Sequence, residues 1–207
     1  MDLLFTIIGL AVILFSIIIH EVAHGSVAYY LGDPTAKENN RLNLNPLNHL
    51  DPIGSFILPL VLLFFTGGRG PIVGWAKPVP VDFYSIRDKR WGALKISLAG
   101  PAANLLMALI FGLLIRFPVF PLGFYQFFQI VVFYNIVLAI FNLIPIPPLD
   151  GSHVLFDILG DGFVGLKSFL TQFGFFILIF LIFSNGLGFI LSITEKIFYL
   201  FTGFPLV

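Results

Sequence analysis

The segment His20-Glu21-Val22-Ala23-His24 combines residue types that can bind a metal ion and move a proton. On a helix, two histidines four residues apart lie on one face, separated by about 6 Å along the axis, so both rings can hold one zinc ion. Glu21 can then take the proton of a water that the metal activates. This HExxH pattern predicts a zinc-dependent hydrolase; the alternative is a buried polar cluster that holds helices together.

A catalytic zinc ion usually has three protein ligands and one open position. Asp150 is the strongest candidate for the third ligand, because the three prolines of the segment Asn142–Gly151 break the preceding helix and let the chain turn towards the site. An ordinary helix N-cap is the alternative role for this aspartate. His49 and His153 compete with it as ligands, although we expect each to be a solvent-facing or hydrogen-bonded histidine.

The composition places this chemistry in a membrane. Of the 207 residues, 58% are hydrophobic and only 11% are charged, about half the charged fraction of soluble domains. The absence of cysteine excludes both a disulfide framework and a thiolate zinc site, and the net charge of zero gives no indication of nucleic-acid binding. We expect one membrane-embedded domain over residues 1–207.

The apolar segments predict an all-α polytopic membrane protein with about five or six transmembrane or re-entrant helices. The first apolar run has no Lys or Arg before it and no clear cleavage site, so we interpret it as a retained span. The expected spans are residues 3–31, 93–117, 125–144, 166–183 and 187–204, with a shorter re-entrant segment at 53–65 and a hairpin as one arrangement of the last two. The proline-rich stretch 71–81 predicts a short extended or β segment.

The placement of basic residues predicts the orientation in the membrane. Eight of the eleven Lys and Arg residues lie between Lys37 and Lys95, so this region should be cytoplasmic and the N-terminus outside. Arg116 is the main residue that contradicts this assignment. The HExxH segment would then lie nearer the cytoplasmic side.

Four segments, in this order along the chain, resemble the site-2 protease family of intramembrane zinc metalloproteases. They are His20–Gly25, Gly74–Val81, Ser97–Asn104 and Asn142–Gly151. The resemblance implies that His20, His24 and Asp150 bind Zn²⁺ and that Glu21 is the catalytic acid–base. It also implies a minimal form of the family, without PDZ-like or CBS domains.

Two asparagines are candidates for substrate contact. Asn142 matches a position of the family motif that contacts substrate, and Asn104 is a weaker candidate. For both, the alternative is a hydrogen bond between helices, where asparagine is common.

The implied activity is hydrolysis of peptide bonds within or near transmembrane segments of membrane-protein substrates, in a prokaryotic cell membrane. The expected partners are therefore a transmembrane protein substrate and the lipid bilayer, and not nucleic acid. Three alternatives remain: a membrane carrier for metal ions, a non-catalytic membrane scaffold, and a hydrolase that acts on lipid.

Overall fold

The structure is a computed structural model that describes residues 3–57, 60–61, 64–65, 77–184, 186 and 188–206. The α-helices with defined bounds are α1 (Leu3–Tyr30), α2 (Thr35–Glu38), α3 (Gly92–Ile115), α4 (Leu122–Asn142), α5 (Asp150–Leu159), α6 (Val164–Phe183) and α7 (Gly188–Thr202); residues 60–61 and 64–65 are also helical. The described residues contain short 3₁₀ or π turns at Pro46–Asn48, Pro52–Ile57 and Gly160–Phe163, and no strand. Helices α1, α3, α4 and α6 are long and apolar enough to cross a membrane. The chain is therefore an integral, multi-pass membrane protein, and the all-α prediction is confirmed.

The predicted boundaries agree with the structure at most places. Helix α1 ends where Gly32 adopts a φ of 109°, a conformation that glycine enters without steric cost. Helix α7 has 15 residues, so it is about 22 Å long and shorter than the predicted span. Parts of the predicted re-entrant and extended segments lie outside the described residues; residues 77–81, which are described, form neither helix nor strand.

The apolar core lies where α3, α4 and α7 meet. Phe198 of α7 is fully buried there among aliphatic and aromatic side chains of the other two helices. Gly112 of α3 lets α7 approach closely, because a Cβ at this position would lie 2.8 Å from Phe201 Cβ. Arg116, just after α3, donates from Nε to the Phe201 carbonyl at 2.9 Å. Together these contacts fix the C-terminal end of α7 against the end of α3.

A buried hydrogen bond joins α1 to α4. Asn135 Nδ2 donates to Ser16 Oγ at 2.8 Å, and both side chains are buried. Lipid tails are as apolar as the helix faces, so packing and polar bonds of this kind, rather than hydrophobicity, hold membrane helices together. Ser16 lies one turn before His20, so this bond also fixes the depth of the HExxH segment.

Helix α6 packs more loosely than the other long helices. Its buried residues are Gly174 and Leu178. A Cβ at Gly174 would lie 2.5 Å from the Pro147 carbonyl oxygen, so α6 meets the rest of the protein next to the proline-rich segment that precedes Asp150.

Truncating Phe198 tests the core. Phe198→Ala should lower the free energy of unfolding, because it leaves a void between three helices. The loss should be smaller than the about 3–5 kcal/mol that this change costs in water-soluble cores, because transfer from water contributes little in a bilayer. Thermal unfolding in detergent measures the change. Phe176→Ala is the matched control, because Phe176 on α6 is 66% exposed; equal losses would contradict the core described here.

Candidate metal centre

The histidines of the HExxH segment lie one turn apart on α1, and both are buried. Their Nε2 atoms are 3.0 Å apart. Asp150 Oδ2 lies 3.0 Å from His20 Nε2 and 3.3 Å from His24 Nε2. The fold therefore joins residues about 130 positions apart in sequence into one group, whose ligand atoms all lie within 4.8 Å of one another.

The chemistry of this group fits a divalent metal ion. Two imidazole nitrogens and one carboxylate oxygen form a donor set that zinc takes in hydrolases. Asp150 Oδ2 is buried, and neither approach of the two rings has the geometry of a hydrogen bond. Burial would raise the pKa of the Asp150 carboxyl, but the rings of His20 and His24 outweigh burial and lower that pKa to about 2. The carboxylate is thus ionised at neutral pH, the form in which it binds a metal.

A backbone carbonyl fixes the orientation of His24. Its Nδ1 lies 2.6 Å from the Ile96 carbonyl oxygen of α3, so this nitrogen carries the proton and donates it. Nε2 therefore faces Asp150 and, once deprotonated, is the atom that can bind a metal. Metal-binding histidines commonly use their second nitrogen in this way.

Gly100 lets α3 lie directly against the two imidazole rings. A Cβ at this position would be 2.5 Å from His20 Cε1, 2.6 Å from His20 Nε2 and closer still to His24 Nε2. No residue other than glycine leaves both rings where they are. The sequence pointed to the segment Ser97–Asn104 through its resemblance to the family, but not to this glycine as part of the site.

The proline-rich turn places Asp150 at the first position of α5. Leu149 occupies the N-cap position, so the alternative that Asp150 is an ordinary N-cap is wrong. Gly151 packs against the end of α4 so tightly that a Cβ would overlap the Leu143 carbonyl oxygen. This close approach is what turns the Asp150 carboxylate towards α1.

A cleft of about 310 Å³ opens beside the three residues. Glu21 is half-buried in it, and its Oε2 accepts a hydrogen bond from the Val79 backbone N–H at 2.8 Å. The cleft is lined by His20, Glu21, His24, Pro78, Val79, Val81, Phe83, Ile96, Ser97, Asn142, Pro148, Asp150 and His153. Val79, which the sequence indicated only as part of an extended stretch, thus contacts the predicted acid–base directly.

The two predicted substrate-contact asparagines occupy different environments. Asn142 lines the cleft, and its Nδ2 donates to the Leu138 carbonyl of its own helix at 2.9 Å. Asn104 is fully buried, does not line the cleft, and its amide atoms have no hydrogen-bond partner among the described residues. The cleft therefore supports a substrate contact for Asn142 and gives none for Asn104.

The competing histidines lie outside the three-residue group. His49 is buried in the loop after α2, with Nε2 2.8 Å from the Asn43 carbonyl oxygen. His153 is exposed in the cleft and stacks against Phe83, with ring centroids 6.1 Å apart. Both have the hydrogen-bonded or solvent-facing role that the sequence favoured.

Comparison with known proteins agrees with this site. The model of peptidase family M50 matches residues 118–181, which include Asn142 and Asp150. The chain is 40% identical over 182 residues to “Putative zinc metalloprotease YwhC” of Bacillus subtilis strain 168, covering 84% of this chain and 78% of that protein. It is 33% identical over 178 residues to “Putative zinc metalloprotease Rip2” of Mycolicibacterium smegmatis, covering 84% of this chain and 66% of that protein. No solved structure matches the chain.

The chain therefore belongs to peptidase family M50, the site-2 protease family, and it is a zinc-dependent peptidase.

Replacing Gly100 tests whether the close approach of α3 shapes the site. Gly100→Ala places a methyl group against both rings, so we expect the variant to bind less than one zinc ion per chain after purification. Metal analysis of the monodisperse protein measures the stoichiometry. Gly123→Ala is the matched control, because a Cβ at Gly123 meets nothing within 4 Å. Full zinc occupancy in Gly100→Ala would contradict the geometry described above.

Proposed function

We propose that this peptidase is an intramembrane protease that hydrolyses peptide bonds within or near transmembrane segments. In this proposal His20, His24 and Asp150 hold the zinc ion, and Glu21 is the general acid–base. The observation that carries the proposal is that His20 and His24, inside the apolar, span-length helix α1, converge with Asp150 beside a cleft that contains Glu21.

The depth of the site supports cleavage inside the bilayer. His20 precedes the end of α1 at Tyr30 by ten residues, which is about 15 Å along the helix axis. Residues 37–95, which follow α1, carry eight of the eleven Lys and Arg residues, and we propose that this region faces the cytoplasm. The scissile bond would then lie in the cytoplasmic half of the membrane.

The reaction assigned to Glu21 is transfer of a proton. A zinc ion in this site would polarise the scissile carbonyl and lower the pKa of water. Glu21 takes a proton from the attacking water, whose oxygen bonds to the carbonyl carbon. It then returns that proton to the amide nitrogen as the C–N bond breaks, so that one water is consumed per bond. Because Val79 holds Oε2, Oε1 is the oxygen assigned to this transfer.

The substrate must be locally unwound to react, because a helix shields its peptide bonds. The Asn142 side chain lines the cleft next to the ligands and can bond to a substrate backbone that has lost its helical partners. The predicted extended segment 71–81 contributes Pro78, Val79 and Val81 to the cleft lining, and we propose that it binds an unwound substrate by strand addition. The prolines at 78 and 80 lack N–H groups, so this edge offers substrate mainly carbonyl oxygens.

A carrier for metal ions is the main competing function, because ionisable residues inside a membrane also mark ion pathways. The position of Glu21 favours the protease. Its carboxylate is bonded to Val79 and lines the same cleft as the metal group, without being one of the three converging residues.

Glu21→Gln separates the two functions. The variant should retain zinc and lose peptide cleavage by about 10²–10⁴-fold, because glutamine cannot accept the proton. Cleavage of single-span substrates in detergent, with zinc measured on the same samples, tests this. Glu38→Gln, at an exposed position on α2, is the control. A Glu21→Gln protein that cleaves at the wild-type rate would exclude Glu21 as the acid–base.

Metal removal tests the zinc site and the location of the cut. A chelator should abolish cleavage of a panel of single-span proteins, and added Zn²⁺ should restore it. Mass spectrometry of the products should place the cuts within or next to the transmembrane segment. Cuts confined to soluble regions of the substrates would contradict intramembrane proteolysis, and cleavage that survives complete removal of zinc would contradict the metal assignment.

A further inference from the structure

The segment that holds Glu21 is itself held by a buried arginine. Arg41 lies in the loop after α2 and is only 7% exposed. Its Nη2 donates to two successive carbonyl oxygens, that of Lys77 at 3.0 Å and that of Pro78 at 3.1 Å. Among the described residues, this guanidinium forms no ion pair. A buried charge is costly unless its hydrogen bonds are satisfied, so these two carbonyls are its main compensation.

One peptide group connects this arginine to Glu21. The Pro78 carbonyl, which accepts from Arg41, belongs to the same peptide unit as the Val79 N–H, which donates to Glu21 Oε2 at 2.8 Å. In a trans peptide the C=O and N–H point in opposite directions, so Arg41 and Glu21 lie on opposite sides of the segment. Each bond polarises the peptide unit in the sense that strengthens the other.

Within residues 78–80, Val79 is the one residue with a backbone N–H that can donate a hydrogen bond. Pro78 and Pro80 have no backbone N–H, and their rings fix φ. The segment is further held by the Lys77 N–H, which donates to the His49 carbonyl at 2.8 Å. Gly25 of α1 allows the close approach, because a Cβ there would lie 2.7 Å from Val79 Cγ1.

We infer that Arg41 is a positioning residue for the hydrolytic reaction, acting through the Pro78–Val79 peptide to orient the carboxylate of Glu21. This inference rests on the proposed role of Glu21. Arg41 does not contact the proposed metal ligands. In this inference the helices determine the geometry of the metal site, and the Arg41 contacts determine the orientation of the Glu21 carboxylate that transfers the proton.

Arg41→Met keeps an unbranched apolar stem similar to that of arginine, is shorter at its end, and removes both bonds. It should lower kcat by about 10–100-fold, the range expected when a catalytic group shifts by up to about 1 Å. KM should change little, and zinc should remain at one per chain. Arg41→Lys, which can still donate to one or both carbonyls, should recover part of the lost kcat. Arg90→Met is the control, because the Arg90 guanidinium lies over the exposed Trp91 ring, with Cζ 5.0 Å from its centroid.

Val79→Pro removes the N–H that bonds Glu21, and it should reproduce the loss of kcat. The double variant Arg41→Met/Val79→Pro should then be no slower than the slower single variant, because both changes break the same connection. Losses that multiply would show that Arg41 acts by another route and would overturn the proposal.

Hydrogen exchange provides a measurement that needs no activity. In the inactive Glu21→Gln background, Arg41→Met should still speed exchange in peptides covering residues 77–82, while peptides from α1 and α3 should exchange as before. Unchanged exchange at 77–82, wild-type kcat in Arg41→Met, or loss of kcat together with zinc would each overturn the proposal. If instead Glu21→Gln cleaves normally, the acid–base assignment fails, whatever the Arg41 variants show.

Discussion

The convergence of His20, His24 and Asp150 inside a bundle of apolar helices is the constraint on which the rest of the structure depends. An aspartate at the centre of a span costs roughly 2.5–3.5 kcal/mol on insertion scales. Here the free-energy cost of burying Asp150 is lower, because its carboxylate is at the start of a short helix outside the long spans and contacts His20 and His24. The close approach of α3 and the turn before α5 both serve this convergence.

Glycine provides the close contacts that such a site needs. At Gly25, Gly100, Gly112 and Gly151, a Cβ would meet atoms of another segment at distances that real Cβ atoms do not show. Small residues allow this approach in membranes, where packing replaces the hydrophobic effect as the attraction between helices. Each of these glycines therefore marks a close tertiary contact. Gly100 and Gly151 shape the metal site, Gly25 lets Val79 approach α1, and Gly112 lets α7 approach α3.

The candidate site has two structurally distinct halves. The metal group is built on α1 and α5 and closed by α3, all regular helices that hold their side chains within narrow limits. Glu21, the proposed acid–base, is also on α1, but its carboxylate accepts a hydrogen bond from Val79 of a non-helical segment, residues 77–81. The helices therefore hold the metal-binding side chains rigidly. The wall of the cleft that would face substrate is formed instead by a segment with fewer internal hydrogen bonds.

The sequence by itself determined the candidate chemistry through three local patterns: HExxH on an apolar helix, an aspartate after three prolines, and apolar runs of span length. Such patterns can be read from a sequence because their spacing and length follow from the geometry of the α-helix. It also indicated that Asp150 could turn, because proline ends a helix wherever it occurs. Only the tertiary structure decided that Asp150, rather than His49 or His153, meets His20 and His24, that Asn104 is buried away from the cleft, and that Arg41 reaches Pro78. The contacts of Arg41 and of Asp150 join residues 37 to 130 positions apart, and no local periodicity encodes which distant partner a side chain will meet.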